Sequence, residues 1–480
     1  MSERMHFSVK LGKQGQGDRP GKPAKGFTVI MLGTFGGGTG TGNPLNEGVA
    51  SLHPVDIDTL DALIAKLQPS LTIGERDDHS ISLSFNSLDD FHPDGLLEQL
   101  GGYRLSTPVV TTDAPSESAQ EATGLSGTSE ASDESESAQA TLSRLLGERP
   151  LTVEKQQQTG STITSAKKAM IENVVRRIAE NATEHSESLT VESSSPDGLQ
   201  SDDRADSLRS LLHLEAFQQL EACWRSVDWL LHSTEADPAV RFYILNMPRD
   251  LLHQQRSDHP DPKSSPLCRL LNERIERDTA SESDFILIDN HCYGPDHGQI
   301  AMLEWLGSLV DRYDGTLLAG ADSSLLVGDA SAEDHLTAWQ AFRTRPMATR
   351  ISLLYPEVLL RLPYGPSTDP VQSFSFEELE ESWSIDELLW GNPAYAALIL
   401  QINQRMNEGA GEQPSLLTEL PAYSYQSEGE RHLQPCARHL LSERQIERLL
   451  KLGLVPVVGS RNRNVIQIPW YQHLALPIDP

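Results

Sequence analysis

The hydrophobic residues of this chain fall into short continuous runs that alternate with longer runs of helical spacing. Short, mostly apolar runs of strand length occur at residues 27–32, 240–245 (interrupted by Arg241), 285–288 and 316–320. Between residues 208 and 231, apolar side chains recur at three- to five-residue steps, which predicts one amphipathic helix. Strands that alternate with helices in this way predict an α/β fold with mixed sheets flanked by helices.

The most distinctive pattern lies in the last third of the chain. An apolar run at residues 358–360 predicts a strand, and Arg361 interrupts it. Residues 363–366 (PYGP), called the proline corner below, prevent regular continuation, because two positions lack an N–H and the glycine is free to take positive φ. The WGNP sequence at 390–393 predicts a second stop, after which residues 394–402 resume helical spacing. No nucleophile–base pair lies inside this segment, so the pattern favours a structural role.

Composition separates a polar middle of the chain from its two ends. The hydrophobic fraction is 38%, which is low for a chain that folds throughout. No Lys or Arg lies between Arg104 and Arg144, where Ser, Thr, Ala and acidic residues dominate. Such a segment cannot bury enough apolar surface to offset its chain entropy. We therefore predict a disordered acidic linker at residues 104–140 and a helical and polar connecting segment at residues 141–206.

The net charge of −30 restricts the class of partner. Nucleic acids and anionic membranes are themselves negative, so we predict no nucleic-acid partner and no membrane insertion. The four cysteines are scattered without CxxC spacing, which fits a reducing compartment. No apolar segment typical of a signal peptide opens the sequence, and no apolar run reaches the roughly 18 residues of a membrane span, so we predict a cytoplasmic protein.

Two features near the start of the chain resemble ligand sites. The glycine-rich stretch at residues 33–44 follows a predicted strand, but it lacks the Lys with which a P-loop reaches phosphates, so we interpret it as a flexible loop. His92 lies beside aspartates at a predicted helix start and could be drawn as a metal or acid–base site. We favour a loop histidine next to capping carboxylates.

A third polar cluster follows the predicted strand at residues 285–288. It contains Asp289, His291, Cys292, Asp296 and His297, at a strand end where α/β enzymes often place their chemistry. Zinc could use the two histidines and the cysteine, although adjacent His and Cys ligands would need an unusual loop. A metal-binding or catalytic site in this loop is the alternative to a structural interpretation.

The N-terminal part resembles a known family. The sequences FTVIMLG, PVDIDTLDAL and LSFNSLDDFHPDGL occur in that order within residues 27–100. They are similar to the small (TssB-like) subunit of the contractile sheath of the bacterial type VI secretion system.

The second half resembles the large (TssC-like) subunit of the same sheath over residues 208–467. The matching sequences include AFQQLEACWRSVDWLL, FYILNM, DFILID, WQAFR, VLLRLPYG, LLWGNPAYA and LSERQIERLLKLGLVPVV. The resemblance singles out a structural family motif, which comprises Trp224, Arg361, Pro363, Tyr364, Gly365, Trp390, Gly391 and Asn392.

The resemblance implies small- and large-subunit-like parts fused in one chain. We predict a small-subunit-like domain at residues 1–103 and a large-subunit-like domain at residues 207–480, joined through the linker and the connecting segment. The family's large subunit continues further, so the second domain is expected to be C-terminally truncated relative to the family.

The function implied is a structural component of the sheath, or a cap or adaptor related to it. Its partners would be sheath subunits or copies of itself, with the inner-tube protein, the baseplate and the AAA+ recycling ATPase as further partners. The resemblance implies no enzymatic activity, no catalytic or metal-binding residues and no cofactor. The alternatives are an α/β enzyme or metal-binding protein that uses the loop from Asp289 to His297, and a monomeric regulator of sheath assembly.

Overall fold

The fold is known for eleven stretches of the chain. The computed structural model describes residues 26–36, 51–73, 80–101, 104–108, 189–192, 201–234, 239–278, 283–326, 332–406, 416–427 and 430–476. The described residues of 26–108 and 189–476 belong to one compact unit. Most of the predicted linker, and the part of the connecting segment before residue 189, lie outside the described residues.

Eighteen strands and ten α-helices are found in these stretches. The strands are β1 Gly26–Gly33, β2 His53–Val55, β3 Ser70–Ile73, β4 Ile81–Ser84, β5 Arg104–Pro108, β6 Leu189–Glu192, β7 Val240–Asn246, β8 Ser283–Tyr293, β9 Thr316–Ala321, β10 Ile351–Tyr355, β11 Val358–Leu359, β12 Trp390–Gly391, β13 Leu416–Leu417, β14 Ser424–Ser427, β15 Glu430–Leu433, β16 Val455–Pro456, β17 Val458–Gly459 and β18 Ile466–Gln467. The helices are α1 Leu60–Leu67, α2 Pro93–Leu100, α3 Ser201–Leu212, α4 Glu215–Ser233, α5 Arg249–Asp258, α6 Pro266–Asp278, α7 His297–Asp311, α8 Ala332–Arg343, α9 Ala394–Met406 and α10 Glu443–Lys451. Within the described stretches, no helix is long and apolar enough to cross a membrane.

The largest sheet has seven strands in the order β16–β10–β9–β8–β1–β7–β2. Its strands pair in parallel, except for β2, which runs antiparallel to β7. The N-terminal strand β1 lies between β7 and β8, and Val29 is in register with Phe242 on one side and Ile286 on the other. The two predicted domains therefore meet in one sheet, while their boundaries stay a prediction.

Helices cover both faces of this sheet. Every residue of β1 is buried, and because side chains alternate along a strand, Val29 and Met31 enter one apolar core while Ile30 and Leu32 enter the other. The first core is completed by α1, α2, α3, α4 and α9, and the second by α5, α6, α7, α8 and α10. The predicted α/β fold, with mixed sheets flanked by helices, is confirmed.

The single helix predicted between residues 208 and 231 is wrong. Two helices, α3 and α4, meet at Leu214, whose extended backbone (φ −65°, ψ 123°) interrupts the helical path. The apolar spacing continues across the break because Leu211, Leu212 and Leu214 are all buried. A turn that keeps its own apolar side chains in the core cannot be distinguished from a helix by periodicity.

The predicted linker also needs a correction at its first residues. Residues 104–108 form β5, which pairs antiparallel with β6 from the connecting segment. The pairing gives the backbone N–H and C=O groups of both strands hydrogen-bond partners. Amino-acid composition, on which the linker prediction was based, carries no information about such pairing. Helix α10 begins after Ser442, whose hydroxyl accepts a hydrogen bond from the Gln445 N–H and so caps the helix.

Because β1 lies at the centre of the sheet, truncating one of its core side chains should destabilise the whole unit. We expect Ile30→Ala, at a fully buried position, to lower the free energy of unfolding by about 2 to 5 kcal/mol. The matched control is Ile57→Ala, at a position that is 47% exposed, which should change it by less than about 0.5 kcal/mol. Urea denaturation followed by circular dichroism measures both, and equal effects would contradict the placement of β1.

Candidate functional site: a buried ion cluster under the proline corner

The most unusual polar feature of the core is a guanidinium group held between two buried carboxylates. Arg361 directs its Nε to Oε1 of Glu221 at 2.8 Å and its Nη1 to Oε2 of Glu378 at 2.8 Å. The other guanidinium nitrogen, Nη2, donates to both carboxylates, at 3.2 and 3.1 Å. The Arg361 side chain is 8% exposed and the two carboxylates at most 1%. Both contacts are therefore two-pronged ion pairs shielded from water.

Two more side chains complete this group. Arg225, one helical turn after Glu221 on α4, places its Nε 2.6 Å from Glu221 Oε1 and donates to the Tyr364 hydroxyl at 2.9 Å. The Tyr364 ring lies under the Arg361 guanidinium, with 4.2 Å between the guanidinium carbon Cζ and the ring centroid. The backbone N–H of Tyr364 donates to Glu378 at 2.7 Å. We call these five residues the ion cluster.

The charges of the ion cluster balance, with two guanidinium groups against two carboxylates. Burial alone would raise the pKa of Glu221, but Arg361 and Arg225 outweigh it and hold the pKa below its usual value. Burial raises the pKa of Glu378, because Arg361 and the Tyr364 N–H offset that effect only in part. The pairs join three parts of the chain: helix α4, the proline corner and the segment around Glu378. The ion cluster therefore holds these three parts of the chain together, and each of its charges is neutralised by another member of the cluster.

The SLDDFHPD sequence of the N-terminal part lies against the proline corner. The His92 ring meets the Tyr364 ring edge to face at 5.0 Å. Asp94 accepts hydrogen bonds from the backbone N–H groups of Gln372 and Ser373, at 3.0 and 3.1 Å, and from the Ser373 hydroxyl at 2.7 Å. Although burial opposes it, these hydrogen bonds lower the pKa of Asp94. His92 also accepts a hydrogen bond from the Asp94 N–H, as expected of a histidine at a helix start.

The WGN residues of the motif, where the sequence predicts a second stop, are held in place by strand pairing and side-chain hydrogen bonds. Trp390 and Gly391 form β12, which pairs with β11, and the indole Nε1 of Trp390 donates to the carbonyl of Ile385 at 2.7 Å. A Cβ at Gly391 would lie 2.6 Å from side-chain carbons of Leu360, so the two strands require glycine there. The Asn392 amide donates to the carbonyl of Asp289 at 3.1 Å.

The remaining motif residues are structural as well. Pro363 is buried, and the N–H of Gly365 donates to the Asp369 carbonyl at 2.9 Å, which closes the proline corner. Trp224 is fully buried on α4, with its ring edge-on to Phe35 at 5.2 Å. The structure thus brings Arg361 and Tyr364 into one cluster, while Trp224, Trp390 and Asn392 make their own contacts. The eight residues as a family motif remain a prediction.

In the loop from Asp289 to His297, the polar side chains bond to one another and to nearby backbone groups. The buried Asp289 carboxylate accepts from Nδ1 of His291 at 2.6 Å and from the Tyr293 hydroxyl. Although burial opposes it, these contacts lower the pKa of Asp289. Burial raises the pKa of Cys292 to about 12, so its thiol stays neutral, whereas a nucleophile or metal ligand needs the thiolate.

The other two residues of that loop lie at the start of a helix. Asp296 caps α7 by accepting from the N–H groups of Gly298 and Gln299, and His297 is the first residue of that helix. In the described stretches, no group of three or more His, Cys, Asp or Glu side chains has the arrangement to hold a metal ion. The geometry gives the alternative site no support.

Sequence reasoning missed three members of the ion cluster: Glu221, Arg225 and Glu378. A signal was present, since Glu221 adjoins Leu220 on the buried face of α4 and Arg361 interrupts an apolar run. A charged residue at a buried position needs a partner, so two such positions of opposite sign are candidates for a pair.

A histidine overlies the ion cluster at the break between α3 and α4. The ring nitrogens of His213 lie 3.9 Å from Glu378 Oε1 and 3.9 Å from Glu387 Oε2, beyond hydrogen-bond distance. Burial lowers the pKa of His213, and Arg361 and Arg209 lower it further against the attraction of Glu387. The folded state therefore favours the neutral ring.

Removing the central cation should be far more costly than removing a surface one. We expect Arg361→Ala to lower the free energy of unfolding by about 3 to 5 kcal/mol, because it leaves two carboxylates buried without a partner. Arg350→Ala, which removes the exposed pairs with Asp311 and Asp314, is the control and should cost about 1 kcal/mol or less. Chemical denaturation measures both losses. A loss of unfolding free energy for Arg361→Ala as small as that of the control would show that the ion cluster does not stabilise the fold.

The lowered pKa of His213 predicts a loss of stability in acid. Its contribution is complete above the usual histidine pKa of 6.5, which applies to the unfolded chain, and is lost as pH falls through the lower folded value. We expect the urea midpoint of His213→Gln to fall less than that of the parent between about pH 7.5 and about pH 5.5, because glutamine does not titrate. Parallel pH profiles for the two proteins would refute this assignment.

Comparison with known proteins agrees with this structural character. The family model described as VipB: EvpB/VC_A0108, tail sheath N-terminal domain, matches residues 203–468. The type VI secretion system sheath protein TssC1 of Pseudomonas aeruginosa is 24% identical over 297 residues, which cover 56% of this chain and 58% of the relative. The chain thus spans less than two thirds of that relative's length. Because the family model matches more than half of the sequence, the chain belongs to the VipB (EvpB/VC_A0108) family of tail sheath proteins.

Proposed function

We propose that this protein is a structural component of a type VI secretion contractile sheath and performs no catalytic step. The observation that carries the proposal is that the ion cluster lies wholly within the family match at residues 203–468. Its guanidinium and carboxylate groups pair with one another inside the core, which suits a rigid structural subunit. The matched relative is itself a sheath protein.

We further propose that one chain supplies both a small- and a large-subunit-like part. The proposed small-subunit-like part is residues 1–103 and the large-subunit-like part residues 207–480. Two observations fit the association of these parts within one chain: β1 completes the sheet between β7 and β8, and His92 and Asp94 contact residues near the proline corner. Fusion would fix the ratio of the two parts and replace bimolecular association by an intramolecular one.

The proposed partners are copies of this chain and separate sheath subunits. The inner-tube protein, the baseplate and the AAA+ recycling ATPase are further candidates, and a cytoplasmic location stays a prediction. A cap or adaptor at a sheath end is the second candidate within the same structural class. A monomeric regulator differs from both because it would bind sheath subunits without assembling.

Self-assembly distinguishes these roles. We expect the purified full chain, alone or mixed with separate large and small sheath subunits, to form ordered rings or tubes in negative-stain electron microscopy, because sheath proteins act as repeated units. Arg350→Ala, which alters only surface pairs, is a control that should assemble like the parent. Particles that remain monomeric and ignore the sheath subunits would contradict the proposal, and monomers that bind them would favour the regulator.

A further inference from the structure

Helix α10 carries a row of exposed basic side chains. Arg444, Arg448 and Lys451 are spaced four and three residues apart, so they lie on one face of the helix, where Glu447 is the acidic neighbour that they outnumber. All three are exposed, whereas Leu449 on the opposite side is buried in the core. Within the part of the chain that the structure describes, none of the three side chains has an ion-pair or hydrogen-bond partner. We call these three residues the basic face.

A groove of opposite charge lies beside the break between α3 and α4. Its volume is about 390 Å³, and it is lined by Asp206, Arg209, Ser210, His213, Glu380, Ser382, Trp383 and Glu387. We call it the acidic groove, because three carboxylates outnumber the single guanidinium. Asp206 and Glu380 share Arg209 as a partner, at 2.8 and 3.5 Å, but they are 69% and 65% exposed, so the excess negative charge of the groove faces the solvent.

The wall of the groove suits a basic side chain in a second way. Trp383 is half-buried, and its ring is fixed edge-on against Tyr423 and Tyr425 at 5.8 and 5.1 Å. An indole beside carboxylates adds a cation–π attraction to the charge attraction for a Lys or Arg side chain that comes within about 6 Å of its ring. A Lys or Arg side chain is therefore the group that the groove fits best.

The charge of the whole chain narrows the choice of partner. At a net charge of −30, two copies repel each other over most of their surfaces. The basic face is one of the places where a second copy can approach favourably, and among the described residues no ion pair joins it to the acidic groove of its own copy. We propose that the basic face of one copy docks into the acidic groove of the next.

This inference rests on the proposed function and adds the contact by which copies associate. The two surfaces differ, so the contact is heterologous and leaves a free basic face and a free groove at the two ends of any open assembly. Repetition of such a contact produces a ring when it closes and a helical filament when it does not. The contact should also weaken with salt, because exposed charges are screened.

Two charge-reversed full-length variants test the pairing. One carries Arg444→Glu with Arg448→Glu, and the other carries Asp206→Lys with Glu380→Lys. Each alone should lose self-association by about tenfold or more, because like charges then face each other. A mixture of the two should recover it, since the acidic helix of one fits the basic groove of the other and the unchanged surfaces remain complementary. Sedimentation velocity at low and at high ionic strength measures all three samples.

A control of equal charge change separates local from global effects. Arg461→Glu with Arg463→Glu alters two exposed residues in the β17–β18 turn by the same total charge, and it should associate like the parent. Loss of association in this control would attribute the effect to net charge and overturn the proposal. If only the groove variant weakens association, the groove binds another basic segment, which also overturns it.

The same experiment distinguishes a failure of the docking contact from a failure of the proposed function. If the parent chain assembles but the mixture of reversed variants does not recover association, only the docking contact is wrong. If the parent shows no self-association and no binding to separate sheath subunits at any salt concentration, the proposed function fails as well. Circular dichroism of each variant establishes that its fold is intact before association is compared.

Discussion

The structure depends on the cost of placing a guanidinium group where water cannot reach it. Arg361 is tolerable in the core only while Glu221 and Glu378 are both in position, and these come from a helix and from an irregular segment. Each of the three elements therefore requires the other two. An apolar contact could tolerate small displacements, but paired charges with two-pronged hydrogen bonds define both distance and orientation. A unit that must repeat accurately benefits from that precision.

The same region is where the N-terminal part meets the rest of the unit. The Tyr364 ring lies under the Arg361 guanidinium and also meets the His92 ring edge to face. Tyr364 therefore links the ion cluster to the SLDDFHPD sequence. On the other side of the motif, Asn392, which directly follows β12, donates to the carbonyl of Asp289 within β8. The motif residues that look dispersed in sequence thus connect the central sheet, the corner and the N-terminal segment.

The fold was largely predictable, because short apolar runs such as residues 27–32 and 285–288 have the length and the residue types of buried strands. The α10 helix was predictable for a local reason, its Ser442 cap. The ion cluster was predictable only in part: charges at apolar positions such as Arg361 and Glu221 signal buried pairs, but these two are 140 residues apart and nothing local identifies which charges pair. The break at Leu214 was missed because a leucine carries no turn signal, and β5 because its partner strand lies in a polar segment.

The central position of β1 has a consequence for how the chain reaches its native state. Phe35, just after β1, bonds to Asn246 at the end of β7, and 211 residues separate them in the sequence. Closing so long a loop costs little more than closing one half as long, about 0.6 kcal/mol, so the intervening residues are thermodynamically inexpensive. During synthesis, however, β1 emerges first and has to wait for both of its neighbours. A cut in the intervening residues would leave the same contacts but make the stability of the sheet depend on protein concentration.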